Sequence, residues 1–294
     1  MNKRTNPPNA GRWGPERRLA FIEFRLLWDG EMNRSDLVDF FGISPQQASA
    51  DIQQYKERAP GNLIYDRNAK RYVRSEHFSP ALVSDLAEAY TEELLGLGTT
   101  TGHDGSSWIG SPPPYAALPS ARRSVDPTIL RELLRAIRRN DMVEVEYQSM
   151  NRPRPTTRWL SPHALGYDGQ RWHVRAYSHR HEMFRDYVIA RIVSTGPQET
   201  STIDPATDAE WHQTITVRIG PHDKLSDGQK TAIAWEYGMQ DGVAEITVRA
   251  SMVFYLLRVL RLDNDSGSRS PEAQQIVLLN PEDMHAIASK RRSG

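Results

Sequence analysis

Residues 41–55 read FGISPQQASADIQQY, and this stretch decides the fold of the N-terminal third. Ser44 can cap a helix by accepting from the backbone N–H of Gln47. Pro45 is pre-set for the first turn, and Gln47 stands where the reciprocal partner of a capping box belongs. Ala48, Ile52 and Tyr55 then recur at helical spacing and face inward. Gln46, Gln47, Ser49, Ala50 and Gln53 are left outside, near the N-terminal end. Just upstream, Gly42 supplies the positive φ that a sharp turn between helices requires, and Ile43 plugs the core. This pattern predicts the recognition helix of a helix-turn-helix. Glutamine can make paired hydrogen bonds to adenine, and small residues admit thymine methyls and phosphates.

The flanks agree. ERRLAFIEFRLLWDG (residues 16–30) sets Leu19, Ile22, Leu26 and Leu27 in one stripe, and Gly30 ends it. A second helix follows over about 34–41, capped by Asn33 or Ser35, with Leu37, Phe40 and Phe41 as core. After the recognition helix, NLIYDRNAKRYVRS (residues 62–75) reads as two strands around Asp66–Lys70. Such a basic wing would lie on the phosphate backbone or reach into the minor groove. The expected DNA contacts are Ser44, Gln46, Gln47, Ser49 and Gln53 on the helix, Arg67, Lys70 and Arg71 on the wing, and Arg17. Arg12 and Arg18 are further phosphate candidates. The competing reading is a three-helix domain that only mediates protein contacts. Turn glycine, capping box, polar face and basic hairpin together favour DNA.

With 294 residues the chain is long enough for two or three domains. Its 38% hydrophobic and 25% charged content is that of a globular protein. No apolar run approaches the roughly 20 residues of a membrane span. The start, MNKRTNPPNAGRWG, has no apolar signal core, so a cytoplasmic, nucleoid-associated protein is expected. The absence of cysteine excludes disulfides, cysteine nucleophiles and thiolate zinc sites. Net charge is zero, but the distribution is uneven. Residues 1–75 hold 13 Lys+Arg against 9 Asp+Glu, and residues 121–200 hold 14 against 9. The second basic block therefore needs its own explanation.

Gly96–Ser124 contains GLGTTTGHDGSSWIGSPPPY, which reads as a linker in which Trp108 and Tyr115 could still dock onto a domain. The resulting division is 1–95 for the winged helix with a trailing helix, 96–124 for the linker, 125–200 for a sheet domain with a leading helix, and 201–294 for a C-terminal extension. In the third segment Asp126 caps a helix whose apolar face is Leu130, Leu133, Leu134 and Ile137. MVEVEYQ and RWHVRAYS alternate as strands, with Asp168-Gly169 as a hairpin turn. Ser161-Pro162-His163 is expected in a turn, and Arg175 on the strand face opposite Trp172 and Val174. Arg185 and Arg191 bracket the next strand. In a small barrel these groups could meet an anionic ligand, such as a phosphate whose base stacks on Tyr147 or Tyr177. Arg158, Arg180 and Arg185 are further candidates. The competing reading is structural: exposed arginines that solubilise a barrel or make dimer contacts. The last segment reads as strand (215–219), helix (about 226–237), strand (244–248), helix (252–262) and strand (276–279).

The run SPHAL, then RWHVRAY, then RDYVIARI, resembles the WYL domain of bacterial transcription regulators. The whole order resembles the CapW/BrxR-like regulators of anti-phage defence islands. That resemblance implies an α+β multidomain chain: winged helix-turn-helix, WYL Sm-like/SH3-like β-barrel, and a small α+β extension. It implies a homodimeric repressor of its own or a neighbouring operon, bound to a palindromic operator and released by an anionic nucleotide or nucleic-acid ligand. Carried onto this chain, its pocket comprises Tyr147, Ser161, His163, Arg175 and Arg191. The family's Trp-Tyr-Leu reads Trp172-His173-Val174 here, so the tyrosine hydroxyl is absent.

His173, His179 and His181 are close in sequence, with only Glu182 and Asp186 nearby, and read better as exposed loop histidines than as metal ligands; no Walker loop, GxSxG or HExxH occurs. No catalytic residue, cofactor or metal is therefore expected. An RNA-binding or protein-assembly module using an Sm-like barrel is the alternative from another class.

Overall fold

A computed structural model describes residues 14–98, 107–118, 123–263 and 269–284. The chain divides into two compact units, Met1–Pro119 and Ser120–Gly294. Arg12 lies outside the described residues, as do 99–106 and 119–122 of the expected linker.

The first unit opens with α1 (Pro15–Trp28), followed by a short β1 (Glu31–Met32) that the sequence did not announce. α2 (Arg34–Phe41) ends at Gly42, whose φ of 64° is the left-handed conformation the turn requires. α3 (Pro45–Arg58) starts on Ser44, whose hydroxyl accepts from Gln47 N at 3.1 Å. β2 (Leu63–Asp66) and β3 (Arg71–Arg74) form the hairpin, and β1 adds to β3 to give a three-stranded sheet in the order β1-β3-β2. Apolar stripes of α1–α3 close one core around Leu19, Phe21, Ile22, Leu37, Ile52 and Tyr55.

α4 (Ala87–Gly98) follows. Part of the expected linker then docks. The Trp108 ring packs edge-on against Phe21 and Phe24 at 5.9 and 5.6 Å, and the backbone N–H of Trp108 donates to Glu93 at 2.8 Å. A buried carboxylate reinforces this unit. Glu23 accepts the Tyr55 hydroxyl at 3.0 Å and the backbone N–H groups of Ala81, Leu82 and Val83. The buried carboxyl oxygens are thus supplied with hydroxyl and backbone donors.

The second unit begins with α5 (Pro127–Arg139), capped by Asp126. Then β4 (Asp141–Tyr147), β5 (Thr156–Tyr167), β6 (Trp172–Ser178), β7 (Met183–Val188) and β8 (Ile192–Thr200) form one antiparallel sheet in the order β7-β6-β5-β4-β8. All five strands and α5 contribute to a single core that includes Leu133, Val143, Val145, Leu160, Val174 and Ile192. Asp168 holds the β5–β6 turn by accepting from Gln170 N and Arg171 N.

Ser161-Pro162-His163 is not a turn. It lies within β5, where a register shift between Pro162 and Ala164 marks a bulge. Proline is tolerated there because the bulge interrupts the ladder.

A one-turn α6 (Ala209–His212) leads into β9 (Thr214–Pro221), α7 (Asp227–Glu236), β10 (Ala244–Arg249), α8 (Val253–Val259) and β11 (Ile276–Leu278). The three strands pair in the order β10-β9-β11 over a core of Val217, Ile219, Ile233, Val253 and Leu257. The last of these helices is shorter than the expected 252–262 because Arg261 turns left-handed, at φ 59°. Among the described residues no helix is long and apolar enough to cross a membrane.

Candidate nucleic-acid interface and ligand site

The outer face of α3 is uncovered. Gln46, Gln47, Ser49, Ala50 and Gln53 are exposed, while Ala48, Asp51, Ile52 and Tyr55 are buried. Asp51 is the residue that the inward stripe did not explain. It takes a two-pronged ion pair from Arg18, 2.7 and 3.0 Å, so Arg18 is part of the core rather than a phosphate contact. The Gln47 amide also donates to the same carboxylate, at 2.9 Å. Ser49 donates to Pro45 O and accepts from Arg34, and Gln53 donates to Glu57.

The wing turn is built on Asp66, which accepts from Asn68 N and Ala69 N at 2.8 and 3.0 Å. These bonds hold its carboxyl below the ordinary range. Arg67 and Lys70 are exposed there. Arg71 is turned back onto Glu31 of β1, an ion pair that needed the unforeseen strand. Arg17 lies over the Trp108 ring at 5.7 Å. Sorting the basic residues leaves a pattern. Arg18, Arg58 and Arg71 are matched by carboxylates. Among the described residues Arg34, Lys56, Arg67 and Lys70 have no carboxylate partner. Three of these, with Asn33, Ser35, Tyr65 and Tyr72, line a groove of about 560 Å³ between α2, α3 and the wing. Arg34 and Lys56 were absent from the sequence-based expectation. The first helical position of α2 was the available signal for Arg34; nothing marked Lys56.

In the central domain the expected pocket residues meet, but in a closed arrangement. Arg175 is 2% exposed. Its fork grips Asp208 at 2.7 and 2.8 Å, and it also reaches Asp186 at 3.3 Å and Glu210 at 3.0 Å. His163 bonds the same Asp208 at 2.9 Å. Burial opposes the charge of Arg175, but Asp208, Asp186 and Glu210 hold the guanidinium firmly protonated. Burial likewise pushes Asp208 up, and Arg175 and His163 more than reverse it, so the carboxyl stays below its ordinary value. Ser161 contacts His179 at 2.8 Å and Ser201 at 2.7 Å. Tyr147 is buried, and its hydroxyl accepts from Val188 N at 3.3 Å. Arg191 is half-buried, with no carboxylate partner among the described residues.

Alternation had placed Arg175 on an outward face. That face is covered, because residues 204–212 and Tyr255 fold back over β6, and Tyr255 donates to Asp186 at 3.3 Å. One guanidinium among three carboxylates offers an anion no net attraction.

Comparison with known proteins bears on the whole chain. The model of the BrxR transcriptional regulator winged helix-turn-helix domain matches residues 14–95, the WYL domain model 128–196, and the BrxR C-terminal dimerization domain model 214–284. A DNA-binding transcriptional repressor CapW of Escherichia coli is 39% identical over 281 residues, covering 95% of this chain and 93% of that protein. Its counterpart in Stenotrophomonas maltophilia is 39% identical over 284 residues, 96% of this chain and 95% of that one. The Pseudomonas aeruginosa CapW is 39% identical over 275 residues, 94% and 92% respectively. Among solved structures, the proteasome accessory factor PafBC of Arthrobacter aurescens is 18% identical with a TM-score of 0.26; the match covers 97% of this chain and 50% of that one, so the chain spans half its length. With winged helix, WYL domain and C-terminal dimerization domain in that order, the chain belongs to the CapW/BrxR family of transcriptional regulators.

Proposed function

We propose that this protein is a homodimeric, DNA-binding transcriptional repressor of its own or a neighbouring operon, a regulator rather than an enzyme, acting in the cytoplasm. The observation that carries this reading is the uncovered amide-and-serine face of α3 beside a groove lined by Arg34, Lys56 and Lys70. Ser44, Gln46, Gln47, Ser49 and Gln53 would face base edges and phosphates in the major groove, with the wing lying on the backbone. Arg67 and Lys70 serve the wing; Arg71 shapes it through Glu31, and Arg17 adds charge near α1. The names of the CapW relatives support the same reading. The central domain would be the sensor, releasing the operator when it binds an anionic nucleotide or nucleic-acid ligand. Release requires that ligand to prefer one of two dimer states.

Fluorescence anisotropy with a duplex from the region upstream of its own gene tests this. Gln47→Ala with Arg67→Ala should weaken binding about tenfold or more, on the scale of one lost base contact plus one phosphate contact. Affinity unchanged by the pair sinks the assigned face. Equal affinity for scrambled duplex or RNA favours a nucleic-acid module without operator recognition.

A further inference from the structure

The central domain holds a second concentration of positive charge that the Arg175 cluster does not use. Arg158 on β5 lies over the rings of Tyr147 and Tyr187, at 4.9 and 5.8 Å. Its Nε donates to Thr156 Oγ1 at 3.2 Å. The guanidinium is thus held in place by aromatic faces and a hydroxyl, while its terminal nitrogens have no hydrogen-bond partner among the described residues. Other cations are carried by neighbouring segments of the sheet. Leu160 pairs with Ser178, and His179 N donates to Trp159 O, so the β6–β7 turn that carries Arg180 runs beside this part of β5. Arg185 stands opposite Ala176 on β7, and Arg152 comes from the β4–β5 loop.

All four guanidinium groups act on one imidazole. Burial first, then Arg185, Arg158, Arg180 and Arg152, hold His181 below its ordinary pKa. Among the described residues none of the four is ion-paired with a carboxylate. This is unlike Arg175, Arg171 or Arg135, each of which is matched. A second observation points the same way. The Tyr187 side chain is 3% exposed, yet its hydroxyl has no hydrogen-bond partner among the described residues. An orphaned buried hydroxyl is costly unless something else satisfies it.

We propose that this cluster, and not Ser161, His163 and Arg175, binds the ligand, and that the ligand presents a phosphate. Several uncompensated guanidinium forks suit a compact dianion with oxygen acceptors in several directions. Tyr147 and Tyr187 pre-organise Arg158, and the Tyr187 hydroxyl supplies a neutral donor. The phosphate could come from a free nucleotide or from the 5′ end of a short single strand. The inference rests on the sensing role proposed above for this domain.

Calorimetric titration of the full-length protein tests it with named probes: inorganic phosphate, AMP, adenosine, and a single-stranded hexadeoxynucleotide with and without a 5′-phosphate. A phosphate-bearing probe should bind and its dephosphorylated counterpart should not; which probe binds identifies the source. Arg180→Gln with Arg185→Gln should weaken binding about tenfold, the scale of a lost charge-assisted hydrogen bond. Tyr187→Phe should weaken it several-fold with the ring retained. Thermal midpoints report folding, and if the double substitution lowers them, Arg152→Glu on the exposed loop gives the same reading. Absence of heat from every phosphate probe overturns the site, as does equal affinity in folded variants. Operator release, followed in parallel, separates the two ideas. Binding without release keeps the site and removes the sensing role. Release that survives Arg180→Gln with Arg185→Gln keeps the sensing role and removes the site.

Discussion

Single side chains decide how the central domain is held together. Asp208 neutralises a buried guanidinium and an imidazole at once. Asp208→Ala should lower unfolding free energy by about 3 kcal/mol in urea titrations, because it removes the two-pronged partner of a buried guanidinium and leaves it only Asp186 and Glu210. The pH dependence has a definite sign. Burial raises the Asp168 carboxyl, but His173 and the N–H groups of Gln170 and Arg171 bring it down to about 2 from 3.8. Asp208 is shifted the same way. Depressed folded-state values mean that their stabilisation is present above about pH 4 and is lost as pH falls toward 2. Asp168→Asn with Asp208→Asn should flatten that acid limb in circular-dichroism melts; a limb of undiminished depth would assign it to other groups. Little of this was legible beforehand. Alternation along RWHVRAYS predicts which face Arg175 occupies, but not that residues 204–212 return to cover it, because that contact spans more than thirty residues. Asp51 was hidden similarly, as one polar residue in an apolar stripe whose partner Arg18 lies on another helix.

Elements were read more fully than their contacts. α3 begins at the residue its capping serine dictates, and α2 ends on the glycine that its turn demands. Both signals are local backbone chemistry, which a sequence carries whole. Gly42→Ala should cost about 1–2 kcal/mol, measured by urea unfolding, since any Cβ is crowded at φ 64°. β1 was missed because two residues have no periodicity to read, yet its Glu31 orients Arg71 on the wing. The bulge in β5 was missed for a different reason. Ser-Pro looks like a turn, and only the strand pairing shows that the ladder steps past it. For the groove, the salt dependence of operator affinity is the measurement that matters. Replacing Arg34, Lys56 or Lys70 with alanine should each reduce the slope of log K against log salt by about 1, while Arg58→Ala, already matched by Glu16, should change it little.

For the whole molecule, the order of domains was readable because each carries a local signature, whereas the ligand site depends on which cations are left unmatched after folding. A dimer carrying two copies of α3 should require half-sites one helical turn apart or a multiple of it. Inserting about 5 base pairs between them should abolish binding in anisotropy titrations, and restoring a full turn of about 10 should recover it. Indifference to this spacing would mean that the two helices act independently. Asp208 has a consequence for how the protein is made. The WYL match ends at residue 196, yet the charge that completes β6 lies twelve residues further along. On the ribosome the central sheet cannot reach its final state until that segment has emerged, so its maturation waits on synthesis of the chain leading into the dimerization domain. A gene fragment cut at the family boundary would release a sheet whose buried Arg175 keeps Asp186 but lacks its two-pronged partner, whereas one ending after His212 would carry the full set of counter-charges.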